Sequence, residues 1–131
     1  MAEDFEKYLK QRHFAKTLKK YIKQYKDKKV VVYGTGMLFE AALQNYDFSQ
    51  LNIIAVSDRK FSATKPDKYF GFNTVAPDGI AKLKPDVVLV GTLKTVAIIE
   101  GLRYDTLLNT GIRVYPLVEK HFWEILKEIW Y

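Results

Sequence analysis

One short stretch constrains the fold of this chain more than any other, an apolar tetrapeptide that runs into two glycines. Residues 30–33 (Val-Val-Val-Tyr) have the composition of a buried strand, and Gly34-Thr35-Gly36 follows directly. A helix-prone segment then begins at Met37. Because the glycines allow a tight turn and a close approach to the backbone, such a unit leaves the first helical amides free to hold an anion. The stretch therefore predicts a parallel sheet with a phosphate-binding turn at its carboxyl edge.

The length and composition indicate one folded domain over residues 1–131. The chain is 48% apolar, which is enough for a core, and it contains no cysteine. The missing thiols exclude disulfides, thiolate metal sites and a cysteine nucleophile. No segment approaches the roughly 18 apolar residues that would span a bilayer, and the charged N-terminus is unlike a signal peptide. We therefore expect a cytoplasmic protein.

The net charge of +6 belongs entirely to the N-terminal segment. Residues 1–29 carry 10 Lys and Arg against 4 Asp and Glu, whereas residues 30–131 carry 11 of each. Residues 1–28 are predicted to form one basic amphipathic helix, with its apolar stripe on Phe14, Leu18 and Tyr25. Its lysines would either form a binding surface for nucleic acid or anionic lipid, or simply lie on the exposed side of a helix that packs on the core. The single arginine and the buried stripe favour packing and argue against a nucleic-acid partner.

Four further apolar patterns place the core in residues 29–117. Residues 52–57, 87–90 and 112–117 read as strands, and a helix is predicted from about residue 36 to 46. Nearly continuous apolar runs mark strands that are buried on both faces, as in a parallel sheet covered by helices. We therefore predict a three-layer α/β fold with a parallel sheet of four to five strands and helical extensions at both ends.

Asp58 ends the second predicted strand, 22 residues after Gly36. An acid at this place in a dinucleotide fold binds ribose hydroxyls, although Asp is also common at ordinary strand ends. Arg59 follows it and would meet a phosphate on the ribose. Gly91 and Thr92 close the strand at 87–90 and would line the same crevice from the other side. The predicted ligand-binding residues are Gly34, Thr35, Gly36, Met37, Leu38, Asp58, Arg59, Gly91, Thr92 and Lys94, the last either on a phosphate or in solvent.

Two segments carry aromatic residues whose role stays open at this point. Residues 59–73 form a long irregular stretch, which is either a lid over the crevice or a connector with a short strand at 72–75. The C-terminal segment 118–131 is predicted to be a helix with a wide apolar stripe. That stripe would cover the sheet edge or the N-terminal helix, or form a homodimer interface, and these alternatives are compatible. Its members are Phe122, Trp123, Ile125, Leu126, Ile129 and Trp130.

Four runs together, Val31–Gly36, Ile54–Asp58, Gly71–Pro77 and Pro85–Val90, carry a resemblance to a known group of domains. The chain resembles the small Rossmann-like domains of bacterial surface-polysaccharide enzymes, namely the nucleotide-binding parts of sugar dehydratases and the N-terminal domains of sugar acetyltransferases. The resemblance implies that NAD(P) or a nucleotide sugar is bound. It departs at Phe39, which occupies the position of the third fingerprint glycine and should push the helix outward or turn it.

The sequence offers no convincing catalytic or metal-binding group. Tyr25 and Lys29 match a Tyr-x-x-x-Lys pair, but they precede the glycine turn, and Tyr25 is needed for the apolar stripe. Neither His13 nor His121 has another histidine or a cysteine three or four residues away. We therefore expect a nucleotide-binding module without catalytic residues or a metal site. The alternative is a non-catalytic interaction or oligomerisation module with a degenerate nucleotide site.

Overall fold

A computed structural model describes residues 2–130, with side chains from residue 4 onward. These residues form an α/β fold whose strands and helices alternate along much of the chain. The strands are β1 (Val30–Tyr33), β2 (Ile53–Ser57), β3 (Lys68–Tyr69), β4 (Phe72–Val75), β5 (Val87–Val90) and β6 (Arg113–Pro116). The helices are α1 (Ala2–Gln11), α2 (Phe14–Gln24), α3 (Met37–Asn45), α4 (Ile80–Leu83), α5 (Val96–Gly101) and α6 (Phe122–Trp130).

In the described residues the strands form one six-stranded sheet in the order β3-β4-β2-β1-β5-β6. Every neighbouring pair is parallel except β3 and β4, which are antiparallel. The parallel part keeps the order expected of a Rossmann-like layout, with β1 in the centre. The mostly parallel α/β sheet is therefore confirmed, but the predicted count of four to five strands is wrong.

The additional strand comes from the stretch predicted to be either a lid or a connector. β3 and β4 form a hairpin whose loop residues, Phe70 and Gly71, have φ angles of 47° and 83°. Positive φ at both central positions gives a two-residue loop the twist that matches its strands. The connector interpretation, with a strand at Phe72–Val75, is the one the structure shows. The hairpin adds an antiparallel edge beyond the last parallel strand.

Two hydrophobic cores lie on opposite faces of the sheet. Along β1, Val30 and Val32 face one core, whereas Val31 and Tyr33 face the other. The first core is completed by α1, α2 and α3, and the second by α4, α5 and the π-helical turn at Leu102–Thr106. The side chains of the central strands are buried on both faces, which explains their continuous apolar sequences.

The N-terminal segment differs from the prediction in two ways. It forms two helices rather than one, because the chain breaks at His13, whose φ of 54° is left-handed. Leu9 and Phe14 are five residues apart and would diverge on one helix, yet the break lets both be fully buried. The segment is also part of the first core rather than an extension, and the Tyr21 hydroxyl donates to the Pro116 carbonyl at 2.6 Å. Its lysines are exposed, as the packing interpretation requires.

Candidate functional site

The strand order reverses beside β1, and this is where ligands bind in open α/β sheets. β1 has β2 on one side and β5 on the other, so the carboxyl ends of all three strands meet. The Gly34 amide donates to the Ser57 carbonyl at 2.8 Å, and the Gly91 amide donates to the Tyr33 carbonyl at 2.8 Å. These two bonds extend the sheet ladder into the two glycine-containing loops and hold the loops side by side.

Gly34 is required by its backbone and by its neighbour. Its φ of 110° lies in the left-handed region, and a Cβ atom there would come within 2.6 Å of the Thr92 Cγ2 atom. Gly36 differs, because a Cβ atom at this position would meet nothing within 4 Å. The first glycine thus allows the loops after β1 and β5 to touch, and the second leaves open space at the start of α3.

A cleft of about 320 Å³ lies at this carboxyl edge. Six of the ten predicted ligand-binding residues line it together, and Phe5 and Leu93 complete the wall. Larger surface concavities lie elsewhere, among them one of about 760 Å³ at the amino edge of the sheet and one of about 1070 Å³ along α2. Two others, of about 460 and 480 Å³, lie on α6 and at the junction of α1 and α2, and none of these four contains residues of the glycine turn. The six predicted residues in the cleft are Gly36, Met37, Leu38, Asp58, Gly91 and Thr92.

Asp58 binds the glycine turn itself. Its Oδ2 atom accepts hydrogen bonds from the Thr35 amide and the Thr35 hydroxyl, both at 2.8 Å, and its Oδ1 atom accepts from the Lys60 amide at 3.1 Å. Burial alone would raise the pKa of Asp58, but these hydrogen bonds outweigh it and hold the pKa below its ordinary value. A carboxylate has about four acceptor positions, so one remains for a ligand hydroxyl.

Tyr69 of the β3–β4 hairpin reinforces the same turn. Its hydroxyl donates to the Thr35 carbonyl at 3.1 Å, and its ring stacks on Phe39 with centroids 6.2 Å apart. Phe39 is fully buried. A Cβ atom on Gly91 would lie 3.4 Å from the Phe39 Cβ atom, so Gly91 provides room beside the ring at the third-glycine position. Gly91, at the end of β5, is thus a small residue that leaves room for the Phe39 ring between α3 and the sheet.

α3 begins at the wall of the cleft, where Met37 and Leu38 are lining residues. The first helical bond of this region joins the Glu40 amide to the Gly36 carbonyl at 3.1 Å. Within residues 2–130, the amides of Met37 and Leu38 have no hydrogen-bond partner, as expected for the first turn of a helix. The Thr35 amide, which belongs to the turn predicted to hold the phosphate, donates its hydrogen bond to Asp58.

Four of the ten predicted residues do not line the cleft, namely Gly34 and Thr35 of the turn itself and, beyond the turn, Arg59 and Lys94. Arg59 is exposed on the 3₁₀ turn after Asp58, and Lys94 is exposed in the loop before α5. The Lys94 carbonyl accepts a hydrogen bond from the Thr92 hydroxyl at 2.6 Å, which shapes the loop rather than the cleft. Their roles as phosphate contacts stay predictions.

Sequence reasoning missed Phe5 and Leu93, which supply apolar surface to the cleft. Phe5 lies on α1 and is half-buried, and α1 packs on α3. Its helical spacing signalled an apolar face, but nothing local showed that this face would reach the carboxyl edge of the sheet. Leu93 follows Thr92 directly, so its nearness to the strand end was the one available signal.

Comparisons with family models, curated proteins and solved structures found no match to this chain. In residues 2–130, no group of three His, Asp or Glu side chains is arranged to hold a metal ion. Nor does that part of the chain contain a helix long and apolar enough to cross a membrane.

Proposed function

We propose that the cleft binds a nucleotide-containing ligand, of the NAD(P) or nucleotide-sugar class, through its phosphate groups. The observation that carries this proposal is that six of the residues predicted as ligand contacts line one cleft at the switch point of the sheet, with open space beside Gly36. They come from three strand ends that are far apart in the sequence.

The chemistry of the wall suits a phosphate with a sugar beside it. The amides of Met37 and Leu38 would donate to phosphate oxygens, and the positive end of the α3 dipole would add to this attraction. Asp58 would use its remaining acceptor position for a ribose hydroxyl. Phe5 and Leu93 would pack against the apolar faces of the ligand. The cleft is at the small end of ligand-binding sites, so it would enclose the phosphate–ribose part and leave the rest on the surface.

A second candidate is a non-catalytic interaction module in which the nucleotide site has become structural. The Thr35 amide and three acceptor positions of Asp58 are already used within the protein, and this observation favours it. The two candidates differ in one property, which is whether the cleft takes up a ligand at all.

A thermal-shift panel tests the proposal, with NAD(H), NADP(H), UDP- and CMP-sugars and coenzyme A as ligands. A ligand at a hundred times its Kd should stabilise the fold by about 2.7 kcal/mol, which raises Tm by about 10 °C for a domain of this size. The Gly36→Val variant should lose the shift, because its side chain would enter open space in the cleft.

Gly101→Val is the matched control. A Cβ atom at Gly101 also meets nothing within 4 Å, and the residue lies on α5 away from the cleft wall. This variant should keep the ligand shift of the wild type. A panel in which no ligand raises the wild-type Tm would reject the nucleotide proposal and leave the interaction module.

A further inference from the structure

α6 turns its apolar side away from the body of the protein. Phe122, Trp123, Ile129 and Trp130 are 67%, 72%, 60% and 77% exposed. At about 100° per residue, these side chains fall with Ile125 and Leu126 in one arc of about 160°. The two glutamates of the helix lie on the opposite side. The prediction that this stripe covers the sheet edge or the N-terminal helix is therefore wrong for its aromatic members.

Glu124, the first glutamate of α6, fixes the N-terminal end of the helix on the body of the protein. Glu124 lies against the junction of α1 and α2, where its carboxylate accepts from the Arg12 Nε atom and the Tyr8 hydroxyl, both at 2.7 Å. Burial alone would raise the pKa of Glu124, but the bonds from Arg12 and Tyr8 lower it to about 2. Rotating the aromatic stripe inward would strip this charge of its partners.

The second glutamate fixes the other end of α6. The Oε1 atom of Glu128 accepts from the Thr95 amide at 2.6 Å and the Val96 amide at 3.2 Å, at the start of α5. Its Oε2 atom is 2.7 Å from the Lys120 ammonium group, and both side chains are nearly buried. Polar contacts at both ends therefore hold α6 with its apolar face outward.

The exposed area is large enough for a specific interface. At roughly 200 Å² for each aromatic side chain, the three aromatic residues leave about 430 Å² in water. That is more than half of the roughly 800 Å² that one partner buries in a standard interface. With the aliphatic residues beside them, the patch reaches the size at which apolar surfaces on soluble proteins usually have a partner.

The charge around the patch selects a second copy over an anionic lipid surface. Residues 118–131 contain three glutamates against two lysines, and the basic surplus lies in residues 1–29. Helices that lie on anionic membranes carry several lysines or arginines on their polar face, whereas the polar face of α6 has two paired glutamates and one lysine, Lys127. A neutral apolar face with aromatic anchors is instead suited to burial against its own kind.

We propose that α6 is the interface of a homodimer in which the apolar faces of two α6 helices pack together across a two-fold axis. Such an interface is isologous, so each copy offers the same patch and receives the same patch. An antiparallel pairing would bring Phe122 of one copy near Trp130 of the other. Glu124 and Glu128 would keep their partners on their own protomer and hold the two helices in position.

Sedimentation velocity over a concentration series, combined with tryptophan emission, tests this dimer. Trp123 and Trp130 are the two tryptophans of the chain, and both lie on the proposed interface. The wild type should dimerise with concentration while its emission shifts to the blue. Trp130→Glu should raise the dimer Kd by at least about 100-fold, because the loss of an aromatic anchor is felt twice across the two-fold axis. Trp123 remains in this variant as the reporter and should emit as in water.

Leu108→Glu is the matched control, because Leu108 is also an exposed apolar residue, 54% accessible, but lies outside α6. It should dimerise like the wild type, and circular dichroism should show that all three proteins are folded. A wild type that stays monomeric throughout the series would overturn the proposal, as would a Trp130→Glu variant that dimerises as tightly as the wild type. Monomeric wild type that co-sediments with vesicles of anionic phospholipid would assign the face to lipid instead.

Discussion

At the scale of single residues, Asp58 decides the shape of the candidate site. The carboxylate joins the end of β2 to the turn after β1, through both polar hydrogens of Thr35. A phosphate arriving at the α3 amides would therefore meet a turn that is already ordered. The same bonds reduce what Asp58 can offer a ribose, since one acceptor position is left. Asp58 therefore both holds the turn in place and is a candidate ligand contact.

Asp58→Asn should destabilise the protein by about 1–2 kcal/mol, because a neutral amide replaces charge-assisted bonds at a partly exposed site. Urea unfolding of Asp58→Asn, Thr35→Val and the double variant measures this. The double variant should lose less than the sum of the two single losses, because the residues act as a pair. Asp67→Asn, an exposed aspartate, is the control and should be close to wild type. If the two losses of unfolding free energy were strictly additive, Asp58 and Thr35 would not be acting as a pair.

The hydrogen bonds of Asp58 also predict how the unfolding free energy changes with pH. The folded-state pKa of Asp58 is lower than its ordinary value, so the unfolded chain takes up the proton first. The stabilisation by Asp58 is therefore complete above about pH 4, near the unfolded-state pKa, and disappears as the pH falls through the folded-state pKa. Between pH 5 and the acid limit of folding, Asp58→Asn should show a shallower fall in the unfolding free energy than the wild type.

At the scale of secondary-structure elements, α6 is held by polar contacts where most elements are held by apolar ones. Glu128 satisfies amides at the start of α5, and the Lys120 ammonium group also bonds to the Leu93 carbonyl. Leu93 lines the candidate cleft. The C-terminal helix is thus connected through one ion pair to the loop that forms one wall of the cleft.

Glu128→Ala should destabilise the protein by about 2–3 kcal/mol, because it leaves a nearly buried ammonium group and two helix amides without their partner. Glu119→Ala removes the glutamate of the Lys20–Glu119 ion pair, in which both side chains are about half exposed. This variant should lose less than about 1 kcal/mol of unfolding free energy. Chemical denaturation of the two variants makes the comparison. Equal losses would show that burial of the Glu128 pair has no energetic weight.

At the scale of the whole molecule, the two terminal segments have opposite roles. The N-terminal helices complete the core on one face of the sheet, with Leu9, Phe14 and Leu18 buried or nearly so. In the described part of α6, by contrast, no side chain is fully buried. The basic segment is therefore needed for folding, and the aromatic one is free to serve an interface.

Removal of residues 1–28 should abolish cooperative unfolding, because the part of the first core that α1 and α2 cover would be open to water. Removal of residues 119–131 should leave a destabilised domain that still unfolds cooperatively, because mainly polar contacts are lost. Lys120 and Glu128 are removed together, so neither is left as an unpaired charge. Urea titration followed by circular dichroism distinguishes the two outcomes, and binding of a hydrophobic dye reports the exposed core. Cooperative unfolding of residues 29–131 at the wild-type midpoint would contradict the assignment of α1 and α2 to the core.

The sequence by itself determined the features that depend on near neighbours. The apolar run at residues 30–33, the glycines after it and Asp58 at the end of β2 were all readable, because strand burial and turn geometry leave local patterns. The α/β class followed from those patterns. The strand at residues 72–75 was visible as an alternative, but the hairpin that makes it part of a six-stranded sheet depends on the left-handed backbone at Phe70 and Gly71.

Only the tertiary structure decided the features that join distant parts of the chain. The bonds from Thr35 to Asp58 and from Arg12 to Glu124 span 23 and 112 residues, and no local periodicity encodes such partners. The break at His13 arises because Leu9 and Phe14 are both needed in one core. The outward face of α6 has the same kind of cause. Its amphipathic pattern left open whether the aromatic stripe packs on the body of the protein or forms an interface. The carboxylates of Glu124 and Glu128 bind an arginine, a lysine and helix amides on the body, and this turns the stripe to the solvent.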